Sequence, residues 1–345
     1  MSTAGPPQGA RHRSAQREGT PSSRGPGRLR RWLCAALVLA AGAGAALAQA
    51  YPAKPVQLVV AFAPGGAGDT VARLVARQLA EGLGQPVVVE NRPVPVAAAA
   101  LVAKARPDGH TLLMAGSGTA LTSALFDRLP YDLQRDFRPV STLASFDLVL
   151  VTGGRSGLSS VAELLAFARA HPGRLTVGTA RVGSTQNLAA ELLRAMAGVD
   201  VLIVPYRTVG DLVSAVRAND VQVAVEMLPA VLGPIRGGTV QPLGVLSASR
   251  FALLPQVPTL AESGLPGFEA VSWNGIAVPA GTPPAVVERL AVEIGRAVAA
   301  PQVRQALLQL GFAAAASSPA QMAQRMDADI AKWRAVIDRA GIARQ

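Results

Sequence analysis

The chain has 345 residues, 33 basic against 22 acidic, for a formal charge of +11, with one cysteine and few aromatics. Residues 1–50 hold seven arginines and one acid, so their removal leaves 26 basic and 21 acidic residues and a charge of +5. So mild an excess, with aromatics scarce, argues against a nucleic-acid surface of cations and stacking rings. Loss of Cys34 with the leader would exclude disulfides, thiolate nucleophiles and cysteine-based zinc or iron–sulfur sites.

Residues 1–27 are rich in Pro, Gly, Ser and Arg and cannot bury a core. Arg28, Arg30 and Arg31 then precede the apolar run Trp32 to Ala40, which fades through Gly42 and Gly44 to Ala48-Gln49-Ala50. That order of charge, apolar core and small-residue end predicts a cleaved secretory signal peptide over 1–50. The run falls short of the ~20 strongly apolar residues of a spanning helix. General export is favoured over the twin-arginine route that Arg30-Arg31 would mark, and either ends in the periplasm.

From residue 51 onward, strand-like apolar runs alternate with helical periodicity, which predicts parallel α/β layers. Strands are expected at 56–62, 87–90, 111–115, 140–143, 148–151, 175–177, 201–204, 221–225, 243–246 and 276–278. Helices are expected at 70–83, 160–170, 186–196, 211–217, 284–299, 301–310 and 319–340, several opened by proline and closed by glycine. In the last, Met322, Met326, Ile330, Trp333 and Ile337 form one apolar stripe for docking on a core.

A strand, a small-residue loop and a helix start recur three times. The loops are Ala63-Pro64-Gly65-Gly66 with Asp69, Gly116-Ser117-Gly118-Thr119, and Gly183-Ser184-Thr185. Each places free backbone N–H groups at a helix N-terminus, where an anionic oxygen is stabilised. In wound α/β sheets the ligand lies beyond the carboxyl ends of the strands, where these loops fall. Two loops precede residue 150 and one follows it, which predicts a cleft between two lobes. The nucleotide fingerprints are absent.

Taken singly, the glycines read equally well as tight turns, and Ser117, Thr119, Ser184 and Thr185 as helix caps. Asp69 reads equally as a first-turn acid stabilised by the helix dipole. Only His110 and His171 follow the leader, and no nucleophile elbow, H-E-x-x-H or cluster of metal ligands is present. The reading is therefore no enzyme, no metal and no cofactor, with a secreted α/β hydrolase the distant alternative. Selectivity is expected from N–H groups and hydroxyls without a full arginine countercharge.

Further motifs run in order along the chain: Tyr51-Pro52-Ala53-Lys54-Pro55, Pro64-Gly65-Gly66 with Asp69, Gly84 to Pro93, Pro107-Asp108-Gly109, Val204-Pro205-Tyr206, Leu254 to Thr259, Gly264 to Phe268 and Pro279 to Pro284. In this order they resemble the Bug-type periplasmic substrate-binding proteins, receptors of the tripartite tricarboxylate transporters. The resemblance implies a two-lobed clamshell, lobe 1 formed by 51–148 with 273–345 and lobe 2 by 149–272, which holds a small carboxylate between them. It implies integral-membrane permease subunits as partners; the alternative reading is an orphan receptor of the same fold that presents its ligand to a membrane sensor kinase, and a monomer is expected.

Carried over residue by residue, it places Phe62, Ala63, Pro64, Gly65, Gly66 and Asp69 in the first loop, with Ser117, Gly118 and Thr119 beside them. Gly183, Ser184, Thr185 and Gln186 would come from the second lobe, with Tyr206 and Glu226 nearby. Three positions depart from the family pattern: 94–100 in place of a glycine-rich turn, Thr208 in place of glycine, and Glu226 where an aspartate is usual. Citrate-like acids, dicarboxylates, aromatic acids, acidic amino acids and their amides all suit such sockets.

Overall fold

The computed structural model describes residues 51–345, and the leader with its cleavage site lies outside the described residues. β1 (Val56–Val60) runs parallel to β2 (Val87–Asn91) on one side and to β3 (Thr111–Gly116) on the other. Its Leu58, Val59 and Val60 are all buried, as befits a parallel strand covered on both faces. Between β1 and β2, helix α1 (Ala67–Leu83) buries Val71, Val75 and Leu79 along one stripe. It ends at Gly84 with φ 68°, the left-handed residue that closes such a helix.

α2 (Pro95–Ala103) and α3 (Ser117–Leu125) follow β2 and β3. The next strand, β4 (Phe137–Thr152), is a single 16-residue element where two short strands are expected. Its ladder changes partner midway. Phe137 to Asp147 pair with β9 (Val271–Pro279), whereas Leu148 to Thr152 pair with β7 (Val223–Met227), all antiparallel. β4 therefore joins two half-sheets, in the order β2-β1-β3-β9-β4-β7-β5-β6.

In the second half, β5 (Leu175–Thr179) pairs in parallel with β6 (Val201–Pro205) and with β7. The connecting helices are α4 (Val161–Ala170), α5 (Thr185–Ala197), α6 (Val209–Ala218) and α7 (Leu228–Arg236). β8 (Gln241–Val245) adds to the far end of β4. The chain returns along β9 into α8 (Pro284–Ala299), α9 (Pro301–Gln309), the short β10 (Ala313–Ala314) on β4, and α10 (Pro319–Ala340). Ser318 and Gln321 cap α10 reciprocally and Gly341 closes it.

The stripe on α10 serves two cores. Met322, Met326 and Ile330 pack with Trp273 and Tyr131, while Trp333 and Ile337 join Leu121, Leu188 and Leu193. One helix thus ties the first half-sheet to helices α3 and α5.

Candidate functional site

The carboxyl ends of β1, β3, β5, β6 and β7 open on one cavity of about 530 Å³. From the first half-sheet come Ala61 and Phe62 after β1, Met114 to Gly116 at the end of β3, and Asn274 of β9. From the second come Ala180 and Arg181 after β5, Arg207 after β6 and Met227 ending β7. Three helices begin at its wall: α2 with Val94, Pro95 and Val96, α3 with Gly118 and Thr119, and α5 with Ser184, Thr185 and Gln186. Their unsatisfied N–H groups and aligned dipoles make the space favourable to an anion.

Of the residues expected at the site, Phe62, Gly118, Thr119, Gly183, Ser184, Thr185 and Gln186 line this cavity. Ala63, Pro64, Gly65, Gly66, Asp69, Ser117, Tyr206 and Glu226 do not, although Asp69, Ser117 and Glu226 hold its surroundings in place. Asp69 is buried, and its carboxylate accepts from Gly65 N at 2.9 Å, Arg73 Nε at 2.9 Å and Asn91 Nδ2 at 2.7 Å. Burial pushes its pKa up, but those hydrogen bonds outweigh burial and hold it at about 2. It fixes the first loop on α1 and β2. Ser117 Oγ accepts from Trp273 N at 3.0 Å and locks the start of α3 to β9.

Glu226 is buried one residue before Met227, and Gln186 Nε2 donates to its Oε1 at 2.6 Å. Met227 N donates to the same oxygen at 2.7 Å. Burial raises its pKa against these two hydrogen bonds. Glu226 therefore anchors the Gln186 amide in the wall. Tyr206 is turned toward the α6 core, beside Gly178. Thr208 is not in the wall either: it caps α6, accepting from Asp211 N at 3.1 Å.

Two of the hydroxyls expected at the wall are already engaged. Ser184 Oγ accepts from Asn187 N at 3.1 Å as the cap of α5, and Thr119 Oγ1 accepts from Gly116 N at 3.2 Å. Ser184→Ala is accordingly expected to lower stability by about 1 kcal/mol through the lost cap. Urea unfolding checks it, and an unchanged midpoint would show that the cap contributes nothing.

Sequence reasoning missed four polar side chains of the wall, Thr122, Arg181, Arg207 and Asn274. The two arginines stand where no guanidinium was expected. Both are exposed, and among the described residues neither enters an ion pair. The lining contains no carboxylate. Their signal in the sequence was only position, directly after the Thr179-Ala180 and Pro205-Tyr206 strand ends. The segment 94–100, which replaces a glycine-rich turn, is the N-cap and the first six residues of α2, and its Val94 and Val96 give the cavity an apolar side. Among the described residues no cluster of three His, Cys, Asp or Glu is arranged to hold a metal, and no helix is long and apolar enough to cross a membrane.

Comparison with known proteins identifies the family and the fold. Residues 71–342 match the model of the tripartite tricarboxylate transporter family receptor. Protein BugT of Bordetella pertussis is 35% identical over 298 residues, 85% of this chain and 91% of that one. A solved structure of R. palustris Rpa4515 with adipate is 34% identical with a TM-score of 0.73, covering 85% of this chain and 99% of that one. MatC of Rhodopseudomonas palustris with bound malate is 33% identical with a TM-score of 0.69, covering 83% and 100%. The fold is thus the two-lobed α/β periplasmic-binding-protein fold, its parallel strands joined by the antiparallel β4 and β9. The chain belongs to the tripartite tricarboxylate transporter receptor family, whose members are periplasmic solute receptors and not enzymes.

Proposed function

We propose that this receptor binds a small organic carboxylate in the cavity at the strand ends and delivers it to the permease of a tripartite tricarboxylate transporter, after export with cleavage following Ala50. The observation that carries the reading is the charge of the wall: helix starts of α2, α3 and α5, two unpaired arginines and no acid. A carboxylate is what that field stabilises. The carboxylates held by Rpa4515 and MatC support the class of ligand.

The lobes of the clamshell are 51–148 with 273–345, and 149–272. The partner change of β4 between Asp147 and Leu148 supports that division. The cavity takes walls from both lobes, so bending at β4 and β9 would close it on the ligand.

A thermal-shift screen of residues 51–345 against mono-, di- and tricarboxylates, amino acids and amides tests the reading. Ligand at ~100 times its dissociation constant adds roughly 2.7 kcal/mol and raises Tm by several degrees. Hits confined to carboxylates are expected, and none in the whole library would overturn the proposal. Replacing Arg181 and Arg207 together with glutamine is expected to weaken each hit about tenfold or more and to flatten its salt dependence. Calorimetry at two ionic strengths reads both effects.

A further inference from the structure

Asn274 sits where a strand of this kind calls for an aliphatic side chain. Along β9, Trp273 and Ala277 pack into one core, and Ile276 and Val278 into the core on the opposite face. By strand alternation Asn274 shares the face of Ile276 and Val278. It is only 5% exposed, and its Oδ1 has no hydrogen-bond partner. Other buried polar atoms lack partners too, including Tyr131 Oη and Trp333 Nε1, but among the described residues only Asn274 of that group borders this cavity. Burying an amide unpaired is costly, so such a group calls for an explanation.

The backbone leaves Asn274 little freedom to find a partner elsewhere. It pairs with Gly116 of β3 on one side and with Ala144 of β4 on the other. Gly116 immediately precedes α3, and residues opposite one another in antiparallel strands have Cα atoms about 4.5–5.5 Å apart. The amide therefore stands beside the helix start that favours a carboxylate, within one or two carbon atoms of a carboxylate held there.

We propose that Asn274 is a ligand-binding residue that reads a hydroxyl on the carbon next to the bound carboxylate or one further along, so that the preferred ligands are 2- or 3-hydroxycarboxylates. This rests on the carboxylate reading of the cavity. A primary amide offers an acceptor and two donors in one plane. A carboxylate oxygen can only accept, and would leave Oδ1 unpaired. A hydroxyl both donates and accepts, so it can satisfy Oδ1 while the carboxylate takes the N–H groups of α3. A site that contains a buried polar group discriminates strongly against the analogue lacking its partner.

Calorimetry with pairs differing by one hydroxyl tests the assignment: malate and succinate, lactate and propionate, mandelate and phenylacetate, 3-hydroxyadipate and adipate, and the corresponding counterpart of any other carboxylate hit. In at least one pair the hydroxylated member is expected to bind tenfold or more tighter. Asn274→Leu, which keeps the approximate size and removes the polar atoms, is expected to bring that ratio to about one. Asn274→Ala gives the same comparison if the leucine variant does not fold. A wild-type protein that binds carboxylates without preferring the hydroxylated member overturns the assignment to Asn274, as does a preference that survives both substitutions. Binding of no carboxylate at all overturns the reading on which it rests.

Discussion

Gly116→Ala is expected to cost about 3 kcal/mol of stability and to abolish ligand binding. A Cβ at Gly116 would lie 2.2 Å from the Trp273 carbonyl oxygen and 3.2 Å from Asn274 Cα. Both obstacles are backbone in the middle of a sheet, so neither can rotate aside as a side chain would. Trp273 is fully buried, its N–H donates to Ser117 Oγ at 3.0 Å, and its indole donates to Asp329 Oδ2 at 2.7 Å. The added methyl must therefore part β3 from β9, and overpacking of a close-packed interior costs about 1–3 kcal/mol, occasionally more. The same displacement moves the start of α3 and the Asn274 amide, the two groups facing the cavity from this side.

Gly118→Ala provides the contrast. A Cβ there meets nothing within 4 Å because it points into open space at the cavity wall. Its stability is expected to stay within about 0.5 kcal/mol of the wild type, as for substitutions that touch nothing. Urea unfolding of both variants with calorimetric titration separates the two cases. A Gly116→Ala protein with the wild-type midpoint would show that β3 and β9 can part without cost at this point.

The glycine loops were legible because a loop that begins a helix has a composition of its own. Gly118, Thr119 and Gly183 to Gln186 accordingly line the cavity where the loop pattern placed them. The first loop was legible as a loop, but its Asp69 is consumed by Arg73, Asn91 and Gly65, and no local pattern announces Asn91, 22 residues away. Asn274 could not be read, since one asparagine in Val271-Ser272-Trp273-Asn274-Gly275-Ile276 gains its meaning only from the strand opposite. β4 appeared as two strands because Ala144, Ser145 and Asp147 interrupt its apolar run, yet that stretch continues the ladder to β9. α2 and α7 escaped notice because both are short and contain proline: Pro95 and Pro229 lie in the first turn, where the missing N–H costs nothing, and Pro234 lies inside α7.

Asp147→Asn is expected to stabilise the protein at pH 8 by on the order of 2–3 kcal/mol and to change little at pH 4. Asp147 is the last residue of β4 paired with β9, directly before the ladder passes to β7. It is 8% exposed, and burial raises its pKa from 3.8 to about 6 against a hydrogen bond from Ser247. A carboxyl group whose pKa is higher in the folded state favours the folded protein in its protonated form. Its penalty is absent below about pH 4, grows as pH rises through the interval to about 6, and is fully present above it. A pKa that differs by one between the folded and unfolded chains is worth about 1.36 kcal/mol, which sets the magnitude.

Other groups do not mimic this signature. Asp69 is held at about 2, so its contribution is complete above its ordinary pKa and is lost only in stronger acid. Glu226 is shifted upward by burial and adds a slope of the same sign, but it is present in both proteins and cancels in their difference. Urea unfolding of wild type and Asp147→Asn between pH 4 and pH 8 should therefore give two curves that meet at the acid end and diverge toward alkaline pH. A constant gap across the range would mean that the substitution acts through packing, and no gap at pH 8 would mean that Asp147 ionises in the fold without penalty.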